Sequence, residues 1–376
     1  MPPSGIRAFF DLVLGMKDVI SLGVGEPDFV TPWNIIESGI SSLEKGYTSY
    51  TSNKGLAELR RDISRYLKNR YGMDYDPEKE ILITVGVSEA VDLAMRSLLE
   101  KGDKMLVPEP HYVSYNALPS LSGASPVLIK TDPSDGFKIT PDDIRSNCDS
   151  KTNSIILNYP NNPTGASYSR KQLKDIAAEV LKRGLVVLSD EIYADLTYDY
   201  DHVPFPTLPG MKERTLYLNG FSKSYAMTGW RIGYACGPEK LISAMTKIHQ
   251  YTIMCVPITA QMAAREALKN GDKAVLEMKK EYKRRREFIV SRLNEIGLSC
   301  HRPEGAFYAF PSINGTGLTS MEFSQGLLKE EKVAVVPGTA FGVSGEGYVR
   351  MSYASAFENL KEAMERMQRF VEKRKQ

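Results

Sequence analysis

Cysteine is scarce in this chain: Cys148, Cys236, Cys255 and Cys300 are its four, and none forms a C-x-x-C pair. That scatter argues against a disulfide framework or a structural zinc site and suits a reducing compartment. The four histidines (His111, His202, His249, His301) form no ligand-spaced cluster, so no metal is expected. An excess of one charge is also lacking. Forty-eight basic against 46 acidic residues leave a net charge of +2, no electrostatic footprint for nucleic acid or an anionic membrane. The densest basic run, Lys283–Arg286, sits in a helical pattern and reads as a solvated helix face. No run approaches the roughly 18 apolar residues that a membrane span needs. The apolar opening is broken by Arg7, Asp11 and Lys17 and has no secretory pattern, so a soluble, cytoplasmic protein is expected. No basic helix-turn-helix precedes residue 20, and no G-x-G-x-x-G follows the strand-like runs 80–86 and 152–157. The first absence counts against a DNA-bound ligand sensor, the second against a dinucleotide-dependent dehydrogenase.

What the chain does have is ordinary globular composition, 42% hydrophobic and 25% charged, over 376 residues, a length that suggests two domains. Its middle alternates β-rich runs with helical patterns. "EILITVG" (80–86) reads as a strand and 87–99 as a helix. "DKMLVPEP", "TNSIILNYP", "GLVVLSDE", "RTLYLNG" and "WRIGYACG" are further strands. Ser169 and Gln172 are spaced as a capping box before the stripe Leu173, Ile176, Ala177, Val180. Ile155–Leu157 and Leu185–Leu188 are continuously apolar, as strands covered on both faces are. The fold class expected is α/β, with a mainly parallel, mixed sheet between helices. From about residue 262 long helices and then short strands around "GAFYAFP" and "YVRMSYA" predict a smaller α+β domain. The boundaries read as 35–262 for the large domain, with 1–34 and 263–376 forming the small one.

Ligands of open α/β sheets collect at the carboxyl ends of strands, and the unusual residues fall there. Gly86-Val87-Ser88 lies where a strand gives way to a helix, a turn that presents N–H groups to an anion, or simply a turn. Asp190 ends an apolar strand, as a helix N-cap or as a buried acid able to hold a ring nitrogen protonated. Tyr193 offers a hydroxyl nearby, or core packing. In "NYPNNPTGA" the amides of Asn158 and Asn162 are placed to bond a ligand. Lys223, in "GFSKSYAMTGWRIGY", is a solvated charge or a Schiff-base amine, with Ser222 and Arg231 available for phosphate. Arg350, inside an apolar strand, needs a buried anion: a substrate carboxylate or an internal salt bridge.

Together, in order, "LGVGEPDF", "NNPTGA", "SDEIY", "SKSYAMTGWRIGY", "PEGAFY" and "VVPGTAFG" resemble the class I/II aminotransferases of the fold-type I pyridoxal-phosphate superfamily. The likeness runs from "SGIR" to "GYVRMSYA", nearly the whole chain. It implies pyridoxal 5'-phosphate as cofactor, with Lys223 as the Schiff-base lysine and proton shuttle. Asp190 would pair with the ring nitrogen, Tyr193 and Asn162 would face the ring oxygen, and Tyr112 would stack on the ring. Gly86, Val87, Ser88, Ser222 and Arg231 would hold the phosphate, with Gly229 and Gly233 leaving room for the backbone. Tyr50 would reach across from a partner subunit of a homodimer. Arg350 and the Gly25 backbone would grip the substrate carboxylate. "MKDVISLG" and "NGFSKSYAMTGW" bring it nearest to aromatic and broad-range enzymes using 2-oxoglutarate. "SGIR", "GFKIT" and "SDEIYADLTYD" are similar to N-acetyl-diaminopimelate aminotransferases, and aspartate aminotransferases or a lyase on the same scaffold are the remaining alternatives.

Overall fold

A computed structural model describes residues 16–374; the "SGIR" motif lies outside them. Seven strands form the central sheet: β1 (Ile81–Thr84), β2 (Lys104–Glu109), β3 (Ser125–Lys130), β4 (Thr152–Asn158), β5 (Val186–Asp190), β6 (Thr215–Gly220) and β7 (Gly233–Cys236). Their order is β1-β7-β6-β5-β4-β2-β3, and only β7 runs antiparallel to its neighbours. This is the mixed, mainly parallel sheet expected of the apolar runs. Ile155–Leu157 and Val187–Leu188 are buried because helices cover both faces. Ser125–Lys130 is an edge strand with half of its residues exposed; its short apolar run at 127–129 is not among the expected strands.

Register decides what meets at the sheet's carboxyl edge. Asn158 pairs with Asp190, and Asp190 with Leu218, so the last side chains of β4 and β5 lie side by side. Gly233 pairs with both Thr84 and Gly220. A Cβ on Gly233 would come within 2.8 Å of the Gly86 carbonyl carbon and Val87 nitrogen. Only a glycine there lets the turn after β1 settle against β7. Gly229, expected in the same role, faces open space and has no such constraint.

The C-terminal part carries a three-stranded antiparallel sheet, Val336–Pro337, Val349–Ser352 and Tyr308–Ala309. The segment Ile20–Ser21 returns to pair in parallel with Val333–Ala334. The helix Asp272–Glu295 corrects the expectation of a solvated basic face. Lys283 and Arg284 are exposed, but Arg285 and Arg286 are buried at 6% and 0%. A helix turns 100° per residue, so Arg285 and Arg286 point inward with Tyr282 and Ile289. Their charges are met by Asp28 and Glu281, and by Asp199 and Glu287. No described helix is long and apolar enough to cross a membrane.

The capping box is formed: Ser169 Oγ accepts the Gln172 N–H, and Gln172 Oε1 accepts the Ser169 N–H at 2.9 Å. Ser169→Ala removes one side of it and should cost about 1 kcal/mol of unfolding free energy. Urea denaturation measures this, and an unchanged midpoint would show that the box contributes nothing.

Candidate active site

At the end of β5, Asp190 is 4% exposed. Its Oδ2 accepts the Tyr115 hydroxyl at 2.6 Å and its Oδ1 the Ile192 N–H at 3.2 Å. Burial raises its pKa to about 6, against the pull of the Tyr115 bond. Asp190 is therefore neither a helix N-cap nor one half of a direct ion pair. A tyrosine holds it, with the remaining carboxylate edge toward a cavity of about 800 Å³. Next to it, Asn158 donates to the Asp190 carbonyl at 3.0 Å, and its Oδ1 accepts the Asn162 N–H at 3.0 Å.

Asn162 passes the chain of contacts to Arg350, whose Nη1 donates to Asn162 Oδ1 at 2.9 Å and Nη2 to the Gly23 carbonyl at 2.6 Å. The guanidinium lies 4.6 Å from the Tyr308 ring centre and 4.8 Å from that of Phe341. It is 2% exposed, makes no salt bridge among the described residues, and its buried Nε has no partner there. The internal salt bridge is thereby excluded for these residues. A buried guanidinium met only by neutral groups is a site for an incoming anion.

Lys223 follows β6 and donates from Nζ to the Gly25 carbonyl at 2.7 Å. Burial, and next the nearby Arg350 charge, lower its pKa to about 8. It is not a solvated surface charge. The Tyr193 hydroxyl shares a hydrogen with Tyr308 at 2.8 Å. Tyr308 in turn donates to the Gly25 carbonyl at 3.4 Å, and a Cβ on Gly25 would strike its hydroxyl at 2.7 Å.

Across the cavity, Gly86 has φ +72° and opens the helix Gly86–Leu98. A Cβ there would lie 2.7 Å from Arg231 Nη2, so glycine allows the guanidinium to lie over the turn. Arg231 is exposed and donates from Nη1 to the Thr228 carbonyl at 2.9 Å. A helix start, a guanidinium and the hydroxyls of Ser88 and Ser222 thus face one space, the donor set a phosphate dianion requires. With an amine of lowered pKa and a buried carboxylate opposite, the residues present fit pyridoxal phosphate.

Of the residues expected from sequence, Gly25, Val87, Ser88, Tyr112, Asn162, Asp190, Tyr193, Ser222, Lys223, Arg231 and Arg350 line this one cavity. Gly86 borders it through Arg231. Tyr50 does not reach it: its side chain is 82% exposed on the outside of the same chain. Tyr115 and Tyr308 were not foreseen. Tyr115 stands three residues beyond Tyr112 in "PHYVSY", and Tyr308 ends "PEGAFY".

A model of the family "Aminotransferase class I and II" matches residues 17–367. The chain belongs to that family. It is 55% identical to the putative aminotransferase YugH of Bacillus subtilis, over 99% of this chain and 96% of that protein. It is 46% identical to an aspartate aminotransferase of Pyrococcus abyssi, over 99% and 97%. The crystal structure of an aromatic aminotransferase from Pyrococcus horikoshii superposes with a TM-score of 0.94 at 46% identity, covering 98% of this chain and 99% of that one. The enzyme is a pyridoxal-phosphate-dependent aminotransferase of fold type I.

The lowered Lys223 pKa has two measurable consequences in the cofactor-free protein. Labelling of Lys223 by an amine-specific anhydride should rise with a midpoint near pH 8 instead of 10.5, and Arg350→Gln should move that midpoint upward. The folded chain also binds fewer protons than the unfolded one between about 8 and 10.5, so this lysine makes stability rise with pH across that window. A labelling midpoint near 10.5 would contradict the geometry.

Proposed function

We propose that this enzyme transfers the amino group of an L-amino acid, aromatic or broad in range, to 2-oxoglutarate, with Lys223 as its Schiff-base lysine. The observation that supports it most is the arrangement around one cavity: a half-buried amine whose pKa is lowered to about 8, a buried carboxylate, and a guanidinium with no ion-pair partner among the described residues. Bound there, pyridoxal phosphate supplies an aldehyde that exchanges amines and a ring that accepts the electron pair left at the substrate Cα.

The residues then divide the work. Gly86, Val87, Ser88, Ser222 and Arg231 hold the phosphate, and Asp190 pairs with the ring nitrogen. Tyr115 keeps that carboxylate oriented and charged. Tyr193 and Asn162 face the ring oxygen, while Tyr112 covers the ring face. Lys223, largely unprotonated above pH 8, would take the Cα proton and deliver it to the cofactor carbon on the other side of the transferred nitrogen. Arg350, with the Gly25 backbone beside it, fixes the substrate carboxylate and so aims the Cα–H at the amine.

The substrate reading rests on what surrounds that space. Among the described residues of one chain the cavity's cations are Lys223, Arg231 and Arg350, each already given a task, while Val24, Tyr112, Ile192 and Tyr308 offer apolar and aromatic surface. Such walls favour an aromatic or broad donor. A second carboxylate, as in 2-oxoglutarate, then needs a cation from a partner copy. A homodimer is part of the proposal, supported by Tyr50, Trp33 and Tyr251, exposed at 82%, 67% and 88%. An acidic donor is the second reading, favoured by the aspartate aminotransferase relative at 46% identity.

Lys223→Ala should lose at least about a thousandfold in kcat together with the borohydride-dependent retention of cofactor; wild-type turnover in that variant would refute its role. Asp190→Asn should fold normally and slow Cα proton abstraction by about a hundredfold, read by the substrate deuterium isotope effect. A rate matching the parent would remove Asp190 from the chemistry. Ranking amino donors against 2-oxoglutarate by kcat/KM tests the substrate class, and a strong lead for aspartate over phenylalanine and tyrosine would replace the aromatic reading.

A further inference from the structure

The helix Gly86–Leu98 presents its N-terminus to the cavity, yet it carries an acid, Glu89, in its first turn. An anionic side chain there stabilises an isolated helix. Beside a phosphate it is a like charge directed at the same N–H groups, and it opposes the ligand. How this chain handles Glu89 is visible in its contacts. Oε2 turns back to accept the Val85 N–H at 2.5 Å, and Oε1 lies 2.7 Å from Nδ1 of His249. Since a carboxylate only accepts, Nδ1 carries the proton in that contact. His249 comes from the helix Glu239–Thr252, 160 residues away in sequence, and is 0% exposed. Its Nε2 has no partner among the described residues, so the ring's single polar contact is with Glu89.

The pair does two things for the neighbouring turn. It ties down the Val85 N–H, leaving those of Val87 and Ser88 unclaimed by Glu89. It also engages the second Glu89 oxygen through His249, which does not itself line the cavity. Thr84 Oγ1 donates to the Gly86 carbonyl at 2.9 Å, which fixes the other side of the turn.

We infer that Glu89 and His249 are a positioning pair for phosphate recognition: His249 orients and offsets the Glu89 carboxylate so that the turn Gly86–Ser88 accepts a phosphate dianion. The inference deepens the proposed reading and rests on its placing of the phosphate at that turn.

The test compares pyridoxal phosphate with pyridoxal, which lacks the phosphate, titrated into the cofactor-free full-length protein. His249→Phe should weaken the phosphate ester about tenfold, the scale of one charge-assisted hydrogen bond, and leave pyridoxal affinity unmoved. Glu89→Gln added to His249→Phe should restore the phosphate preference, because the amide oxygen still accepts the Val85 N–H and no unpaired charge remains. His249→Leu reads the same ratio if the phenylalanine variant does not fold. A purely structural pair would weaken both ligands alike. Equal losses, no loss, or absence of rescue would each overturn the inference. Arg231→Gln separates the two levels: if it too leaves the preference for the ester intact, the phosphate placement itself fails.

Discussion

The guanidinium of Arg350 is buried without a counter-charge among the described residues, and the surrounding architecture is arranged to tolerate that. Isolating an ion from water costs several kcal/mol unless polar groups replace its hydration. Here the replacements are one amide oxygen, one carbonyl and two aromatic faces. Each is itself held. Asn162 is locked by Asn158, which is locked to the end of β5. Phe341 is positioned by its carbonyl, which accepts the His111 N–H at 2.9 Å. The segment following it is clamped by Glu109, whose carboxylate accepts the N–H groups of Val343 and Ser344 at 2.9 and 3.4 Å. Gly342, at φ +120°, has no room for a Cβ against that carboxylate. An uncompensated cation can persist only inside such an over-determined shell, and the same shell would give the proposed substrate carboxylate a fixed address.

The Arg350 charge also acts at a distance, because it is the second contribution, after burial, that lowers the pKa of Lys223. Asp190 opposes this lowering from the sheet edge without touching Lys223. Direct pairing would have quenched all three groups: Asp190 would be a firm anion, Lys223 an ammonium, and Arg350 occupied. Burial without direct pairing leaves the amine's pKa at about 8 and the carboxylate's at about 6, the condition in which a bound cofactor and substrate would supply the missing partners. The unsatisfied electrostatics of the free chain are in this sense the complement of its ligands.

Much of this was legible in the sequence because strand ends follow from local pattern. An apolar run that stops at Asp190, or at Asn158, places that side chain on the sheet's carboxyl edge whatever the rest of the chain does. The motifs then name the ligand. What could not be read was the partnership of residues remote in sequence. Tyr115 meets Asp190 across 75 positions, His249 meets Glu89 across 160, and Glu109 meets Val343 across 234. No periodicity encodes these pairings. The basic run misled for a related reason: charge density suggests a solvated face, while the helical turn sends Arg285 and Arg286 inward to acids far along the chain. Glycine was ambiguous too. Gly229 and Gly233 look alike in "TGWRIGY", yet only Gly233 has a backbone neighbour that a Cβ would meet.

The segment 22–28 shows how these remote pairings combine. Leu22 N–H donates to Ala334 and its carbonyl accepts Ser352, at 2.9 and 2.7 Å. The carbonyl of Gly23 accepts Arg350, and that of Gly25 accepts Lys223 and Tyr308. Asp28 takes Arg285 through both oxygens at 2.8 and 2.9 Å. Every one of these anchors except Lys223 comes from the C-terminal part of the chain; Lys223 follows β6, as does Thr228, whose hydroxyl donates to Glu26 at 3.1 Å. The Asp28–Arg285 ion pair and several backbone bonds outweigh one lysine–carbonyl bond, so the segment would keep its place if the Lys223 amine turned to the cofactor as proposed. The proposed Schiff-base lysine could thus leave Gly25 while the carbonyl that held it stays in register with Arg350. The Lys223 amine and the Arg350 guanidinium are both referred to one strip of backbone, and that strip depends least on the residue that the proposed chemistry would move.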